Sequence, residues 1–307
     1  MTTHVKTYEQ VGKKEVVADF ISNLSPTKTP FQSMIGTESV KNTVYQWLED
    51  SLRDVAVNAQ VEGFDPTDES KSQPSLRTNT TQIFGTSFRV SGTADVINLY
   101  GRAKETAYQM MKTSEEIKRD LEHALVGTAQ TKVDGDASTA RKFAGVQAMI
   151  HADTTETADG GSGAADALDE TYVLNALKKV YDEGAEVDTL MIKPSDALKV
   201  ANFAFRAAPS TNVQERSRQL TGSERKIVNV IDVYVSPWGE VRTVMNRWLK
   251  STDALLLDSS NWKLMILRPW FKEVLAKTGD SVRHMIVGEF GLKHKNYLAS
   301  GLITNLT

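Results

Sequence analysis

The sequence predicts an α+β fold whose body carries outreaching appendages, and three features predict it. Gly101 to Val126 carries one apolar stripe at helical spacing, the clearest element in the chain. From Leu168 onward helical and strand patterns alternate, and the chain closes on a run of strands. Between two early strand patterns lies a long polar excursion with too few apolar residues to pack, a length unusual inside a compact domain.

Composition narrows the class. The 307 residues are 40% hydrophobic, enough for a sizeable core in one large or two modest domains. A net charge of −3 gives no overall basic field for nucleic acid, so any contact with a genome is incidental or confined to a patch. The lack of cysteine excludes disulfides, thiolate metal sites and cysteine nucleophiles, and fits a reducing cytoplasm. The opening residues MTTHVKTYEQVGKKEVV lack the apolar centre of a signal peptide. Apolar runs such as Ala254 to Leu257 fall far short of the about 20 residues that span a bilayer, so no membrane is expected.

The elements follow in order. Met1 to about Ile35 reads as an arm, with a short helix through Glu15 and Ile21 that Pro26 stops. Thr27 to Phe31 reads as extended, because the residue before a proline avoids the helical region. Val40 to Leu48 and Thr80 to Val90 are strand-like, and Asp50 to Leu76 between them is the polar tip of an extended hairpin, read as an arm that reaches out to grip a partner with a disordered surface loop as the alternative. In the long helix Ala103, Ala107, Met110, Ser114, Ile117, Leu121 and Leu125 form the apolar stripe. Lys104, Glu105, Lys112, Glu115, Glu116, Lys118, Arg119 and Glu122 are assigned to its solvent face, and Gly127 stops it. At 1.5 Å per residue this is a rod of about 40 Å.

Thr128 to Asp169 is a composition break with flexible flanks and the first domain boundary. Leu168 to Asp182 is a helix ended by Gly184, and Thr189 to Ile192 a buried strand. Pro194 opens a helix with Leu198, Val200, Ala201 and Phe205 on its apolar side. After the polar stretch Pro209 to Arg225, a strand from Ile227 to Val235 pairs with Val241 to Val244 across Pro237-Trp238-Gly239. Strands follow at Leu255–Leu257, Lys263–Leu267, Phe271–Ala276, Arg283–Leu292 and Tyr297–Leu306.

No motif carries chemistry. His4, His123, His151, His284 and His294 lack metal-ligand spacing. Gly160-Gly161-Ser162-Gly163 lacks the preceding strand and following lysine of a phosphate cradle. Asp65, Asp68, Glu69, Asp182 and Glu183 sit in polar loops or at helix ends, where no burial raises a carboxyl pKa for general acid work. Arg216, Arg218, Arg225 and Lys226 form a basic patch without interleaved aromatics, read as a subunit-facing loop with a nucleic-acid contact as the alternative. No catalytic, cofactor-binding or metal-binding residue is expected, and no cofactor.

Several stretches in order carry a resemblance: Thr29-Pro30-Phe31-Gln32-Ser33-Met34-Ile35-Gly36, Tyr45-Gln46-Trp47-Leu48-Glu49-Asp50, Ala59-Gln60-Val61-Glu62-Gly63 and Thr81-Gln82-Ile83-Phe84. Ala140 to Gly145, Val233 to Ser236, Leu267-Arg268-Pro269 and Leu275 to Asp280 continue it. Together they resemble the tailed-phage major capsid (major head) protein family nearly end to end. The resemblance implies the capsid fold shared by tailed phages, encapsulins and the herpesvirus capsid floor. It implies an N-terminal arm at 1–38, an extended loop at 39–92, a peripheral domain at 93–165 and 260–307 with a spine helix at 101–126, and an axial domain at 166–259.

It also implies a function. Copies assemble through hexamers and pentamers into an icosahedral head enclosing the phage genome, formed in the host cytoplasm and retained in the virion. A portal protein, a separate scaffolding protein and a decoration protein are the implied partners, with packaged DNA touched only non-specifically on the inner surface. Subunit contacts are expected at Phe31, Trp47, Glu62, Phe64, Asp65, Lys71 and Arg77. The alternatives are an encapsulin-like compartment shell and, from another class, a cytoplasmic α/β enzyme with an unrecognised site.

Overall fold

The computed structural model describes residues 27–53, 55–65, 68, 71, 73–97, 104–201, 203 and 233–307. The arm helix at Glu15–Ile21, Phe205, the polar stretch Pro209–Arg225 and the basic residues Arg216, Arg218, Arg225 and Lys226 lie outside them.

Three sheets organise the described chain. A two-stranded hairpin pairs β2 (Val44–Glu49) with β3 (Ser75–Thr80), Val44 opposite Thr80 and Glu49 opposite Ser75. A four-stranded sheet runs β1 (Gly36–Ser39), β10 (Trp262–Leu275), β11 (Ser281–His294) and β4 (Gln82–Ser91), antiparallel except for β1. A six-stranded mixed sheet runs β5 (Thr155–Thr157), β12 (Gly301–Thr304), β9 (Ala254–Leu257), β6 (Thr189–Ile192), β8 (Gly239–Met245) and β7 (Val233–Ser236). The helices are α1 (Pro30–Met34), α2 (Gly92–Val96), α3 (Glu105–Val126), α4 (Glu170–Asp182) and α5 (Ala197–Ala201).

The six-stranded sheet is a wall between two cores. β6 and β9 are buried along their whole length, and successive side chains of a strand point to opposite faces. Met191, Leu255 and Leu257 therefore join Leu121 and Leu125 of α3 and the rings of Phe31 and Trp262. Leu190, Ile192, Ala254 and Leu256 join Val173, Ala176, Leu177 and Val180 of α4. A slip of one residue would exchange the two sets, so burial on both faces fixes the register.

The start of α4 and the end of α3 are closed by specific partners. The Asp169 side chain accepts the Glu170 amide at the start of α4. At the end of α3 the last four carbonyls all find donors. Gly127 N–H donates to His123 (2.8 Å), Thr128 Oγ1 to Ala124 (3.3 Å), Val146 N–H to Leu125 (2.9 Å) and Lys250 N–H to Val126 (3.2 Å).

Several expectations need correction. Pro30 does not continue an extended stretch but opens α1, because proline suits the first helical position, where its missing N–H costs nothing. The hairpin returns through Ser75–Thr80, while the residues expected as its return strand form β4 and pair with β11. On α3 the buried positions are Thr113, Ile117, Leu121, Glu122, Ala124, Leu125 and Val126. Ala107 is exposed, because burial on this helix begins only at Thr113. Glu122 is fully buried and not on the solvent face. Leu198 is exposed.

Between the two flanks expected to be flexible loops, the middle of the segment Thr128 to Asp169 folds inward, with Phe143, Val146 and Met149 fully buried in the core beneath α3. Two strands expected at Lys263–Leu267 and Phe271–Ala276 are one, β10, whose ladder bulges around Pro269 where no N–H can pair. The last strand, expected to return to the peripheral sheet, lies in the six-stranded sheet between β5 and β9.

Candidate functional site

The hairpin β2–β3 has a firmly held root and an exposed tip. At the root Tyr45 and Trp47 face inward and stack with ring centroids 6.0 Å apart. The Tyr45 hydroxyl donates to the Leu292 carbonyl at 2.7 Å, and burial pushes its pKa well up. Buried Asn79 donates to the same carbonyl (2.7 Å) and accepts the amides of Ala144 (2.8 Å) and Thr80 (2.9 Å). Glu49 accepts both the Arg77 guanidinium and the Tyr297 amide, while Arg77 lies 4.4 Å from the centroid of the Tyr297 ring.

Below the root, buried Glu289 gathers Arg141 (2.7 Å), Arg268 (3.0 Å) and the Thr81 hydroxyl (2.7 Å). His294 stacks on Trp262 at 3.8 Å. One ring nitrogen bonds the Met149 carbonyl (3.0 Å) and the other the Ser300 hydroxyl (3.1 Å). Desolvation lowers its pKa to about 4, only partly opposed by the Met149 carbonyl. The side chains of Tyr45, Asn79, Glu289 and His294 are all engaged by structural partners. Among the described residues, no group of His, Asp and Glu side chains could hold a metal ion.

The tip is exposed. Between β2 and β3 the described residues form neither helix nor strand, and a turn at Glu62-Gly63, with Gly63 at φ 82°, brings the Phe64 amide to the Val61 carbonyl at 3.1 Å. Leu52, Val55 and Val57 are 97–102% exposed, Val61 77% and Phe64 48%. Single exposed apolar residues are ordinary, but a run of them on one segment marks a contact surface. Burying each against a partner is worth about 1.5 kcal/mol or more.

Glu62, Phe64, Asp65 and Lys71 are each exposed in this loop. Phe31, Trp47 and Arg77 lie outside it. Phe31 has no exposed surface and meets Trp262 edge-on at 5.9 Å, Trp47 is buried at the hairpin root, and Arg77 is held between Glu49 and Tyr297. Trp47 and Arg77 brace the root and Phe31 packs on Trp262, so the contact expected of Phe31 and Trp47 has almost no surface to use. The exposed apolar residues Leu52, Val55, Val57 and Val61 are not among those expected at a contact. The signal was present in Val55, Val57, Ala59 and Val61, which alternate with Ala56, Asn58 and Gln60 as along one face of a strand.

A second constellation fixes the arm. Glu122 accepts the amides of Phe31 (2.8 Å) and Gln32 (3.1 Å) and the Asn246 side chain (2.7 Å). It ties α1, α3 and the turn after β8 at one carboxylate. Burial raises its pKa, and the two amide bonds counter that.

The comparisons with known proteins agree with this architecture. The model of a family described as SU10 major capsid protein matches residues 2–307. A major capsid protein of Escherichia phage Phieco32 is 31% identical, over 96% of this chain and 95% of the relative. Among solved structures, the capsid of cyanophage A-1(L) superposes with a TM-score of 0.67 at 10% identity, over 96% of this chain and 97% of that one. An encapsulin of Synechococcus elongatus superposes with a TM-score of 0.57 at 12% identity, over 93% and 92%.

Proposed function

The chain belongs to the SU10 major capsid protein family, and from that premise we propose that its copies build the phage head through hexamers and pentamers, enclosing the genome. The family is one of structural shell subunits, not of enzymes, and self-assembly is its work. One observation of this chain carries the finer reading: the apolar tip residues Leu52, Val55, Val57 and Val61 are exposed on a segment whose root is rigid. A surface so placed is satisfied by a neighbouring copy, and closed symmetry lets every copy both give and receive the contact.

In this reading Glu62, Phe64, Asp65 and Lys71 contact the neighbour together with the valines. The arm comprises 1–38, the extended loop 39–92, the peripheral domain 93–165 with 260–307, and the axial domain 166–259, with β5 and β12 joining the axial sheet. A portal protein, a separate scaffolding protein and a decoration protein complete the head, and assembly takes place in the host cytoplasm. The encapsulin-like alternative is weaker, since the likeness to an encapsulin is one of fold alone at 12% identity.

Sedimentation velocity of the purified chain against a variant lacking residues 51–73 tests the grip. The parent is expected to form large assemblies, and the variant to remain a folded small species. Equal assembly by both would remove the loop from the interface.

A further inference from the structure

At the C-terminal end of α3 a cleft of about 610 Å³ opens between the helix and the turn that follows β8. Arg119, Asp120 and His123 line it from the helix, and Arg247, Trp248 and Lys250 from the turn. Its walls are fixed. The Asn246 side chain donates to buried Glu122 and accepts the Trp248 amide at 2.9 Å, and Leu249 is buried. A Cβ at Gly127 would lie 2.4 Å from the Trp248 carbonyl, so only glycine lets the turn approach this closely. The indole N–H of Trp248 donates to the Lys28 carbonyl at 3.0 Å, and the Arg119 guanidinium lies 5.8 Å from the indole centroid.

The charge in this cleft is unbalanced. Lys250 is engaged by Asp253 at 3.4 Å. Arg119 and Arg247 make no ion pair or hydrogen bond among the described residues, and Asp120 is the one carboxylate lining the cleft. The helix-end carbonyls that would repel an anion all have donors.

We infer that this cleft takes up phosphate groups of a polynucleotide backbone, with the guanidinium groups of Arg119 and Arg247 as its cationic contacts. Two guanidinium forks that make no ion pair among the described residues match phosphate oxygens. Trp248 already carries Arg119 near its ring and spends its N–H on Lys28, so it offers no platform for reading bases. Binding is therefore independent of sequence and steeply dependent on salt. The inference rests on the shell reading only for the identity of the polyanion.

The test is fluorescence anisotropy of the full chain with short labelled DNA of random sequence, duplex and single-stranded, across a sodium chloride series. Arg119→Gln and Arg247→Gln are each expected to weaken binding about threefold, and the pair about tenfold. Each should make the log–log salt slope shallower by about 0.9 on duplex or about 0.7 on single strands. Asp120→Asn is expected to tighten binding, a change of opposite sign that general unfolding cannot produce. Unchanged affinity and slope in the double variant would overturn the inference. So would binding of a polyglutamate peptide with none of DNA, which would assign the cleft to an acidic protein segment. Electron microscopy of the same variants separates the two readings, because shells that form normally with weakened DNA binding leave the shell reading intact.

Discussion

The carboxylate of Glu122 accepts the backbone N–H of Phe31 at 2.8 Å, across 91 residues of sequence. With Gln32 and Asn246 on the same carboxylate, a helix-capping role usually filled by a local Ser or Asp is supplied from near the C-terminal end of the longest helix among the described residues. The point where the arm meets the body is thereby set by one buried charge whose donors are all satisfied.

Glu122→Ala is expected to destabilise the chain by about 3 kcal/mol, since it strands buried donors and leaves a cavity. Glu122→Gln, which keeps one acceptor oxygen, should cost less. Urea unfolding midpoints check this, and an Ala variant as stable as the parent would show that the cap is dispensable.

His294 predicts a pH dependence. Its folded pKa, about 4, lies below the ordinary 6.5 because the ring is buried. The unfolded chain therefore takes up the proton first. Stability is fully present above pH 6.5 and falls as the pH drops toward about 4, by about 3 kcal/mol in all. Unfolding midpoints from pH 7.5 to 4.5 should follow this fall, and His294→Gln should flatten it while lowering stability at pH 7.5.

Glu115→Pro places a proline in the middle of α3, where it removes a helical hydrogen bond and clashes with the preceding turn. The expected cost is about 3 kcal/mol or more. Circular dichroism during heating reads it, and an unchanged melting temperature would contradict the continuous helix.

The tip valines predict a separation of stability from assembly. Val55→Ser, Val57→Ser and Val61→Ser alter side chains that are exposed within the subunit, so each should shift folding stability by no more than about 0.5 kcal/mol. Combined, they should abolish large assemblies in sedimentation. Loss of the fold instead would mean that these side chains pack within their own subunit.

The regular elements were legible because their periods are local. The stripe through Ile117, Leu121 and Leu125, and the apolar runs 189–192 and 255–257, are readable from neighbouring residues alone. Relations between distant segments were not. Glu122 reads as a surface charge until Phe31 and Gln32 are brought to it, and the last strand carries no mark of which sheet it joins. The outward reach of the hairpin was legible from its polar composition. That same composition hid Val55, Val57 and Val61, the residues on which the proposed grip depends.

The most direct test of the central claim is negative-stain electron microscopy of the purified chain, alone and co-expressed with a scaffolding protein. Closed shells, or rings of five and six subunits, are the predicted result. A dispersed monomer or dimer under both conditions would contradict the account.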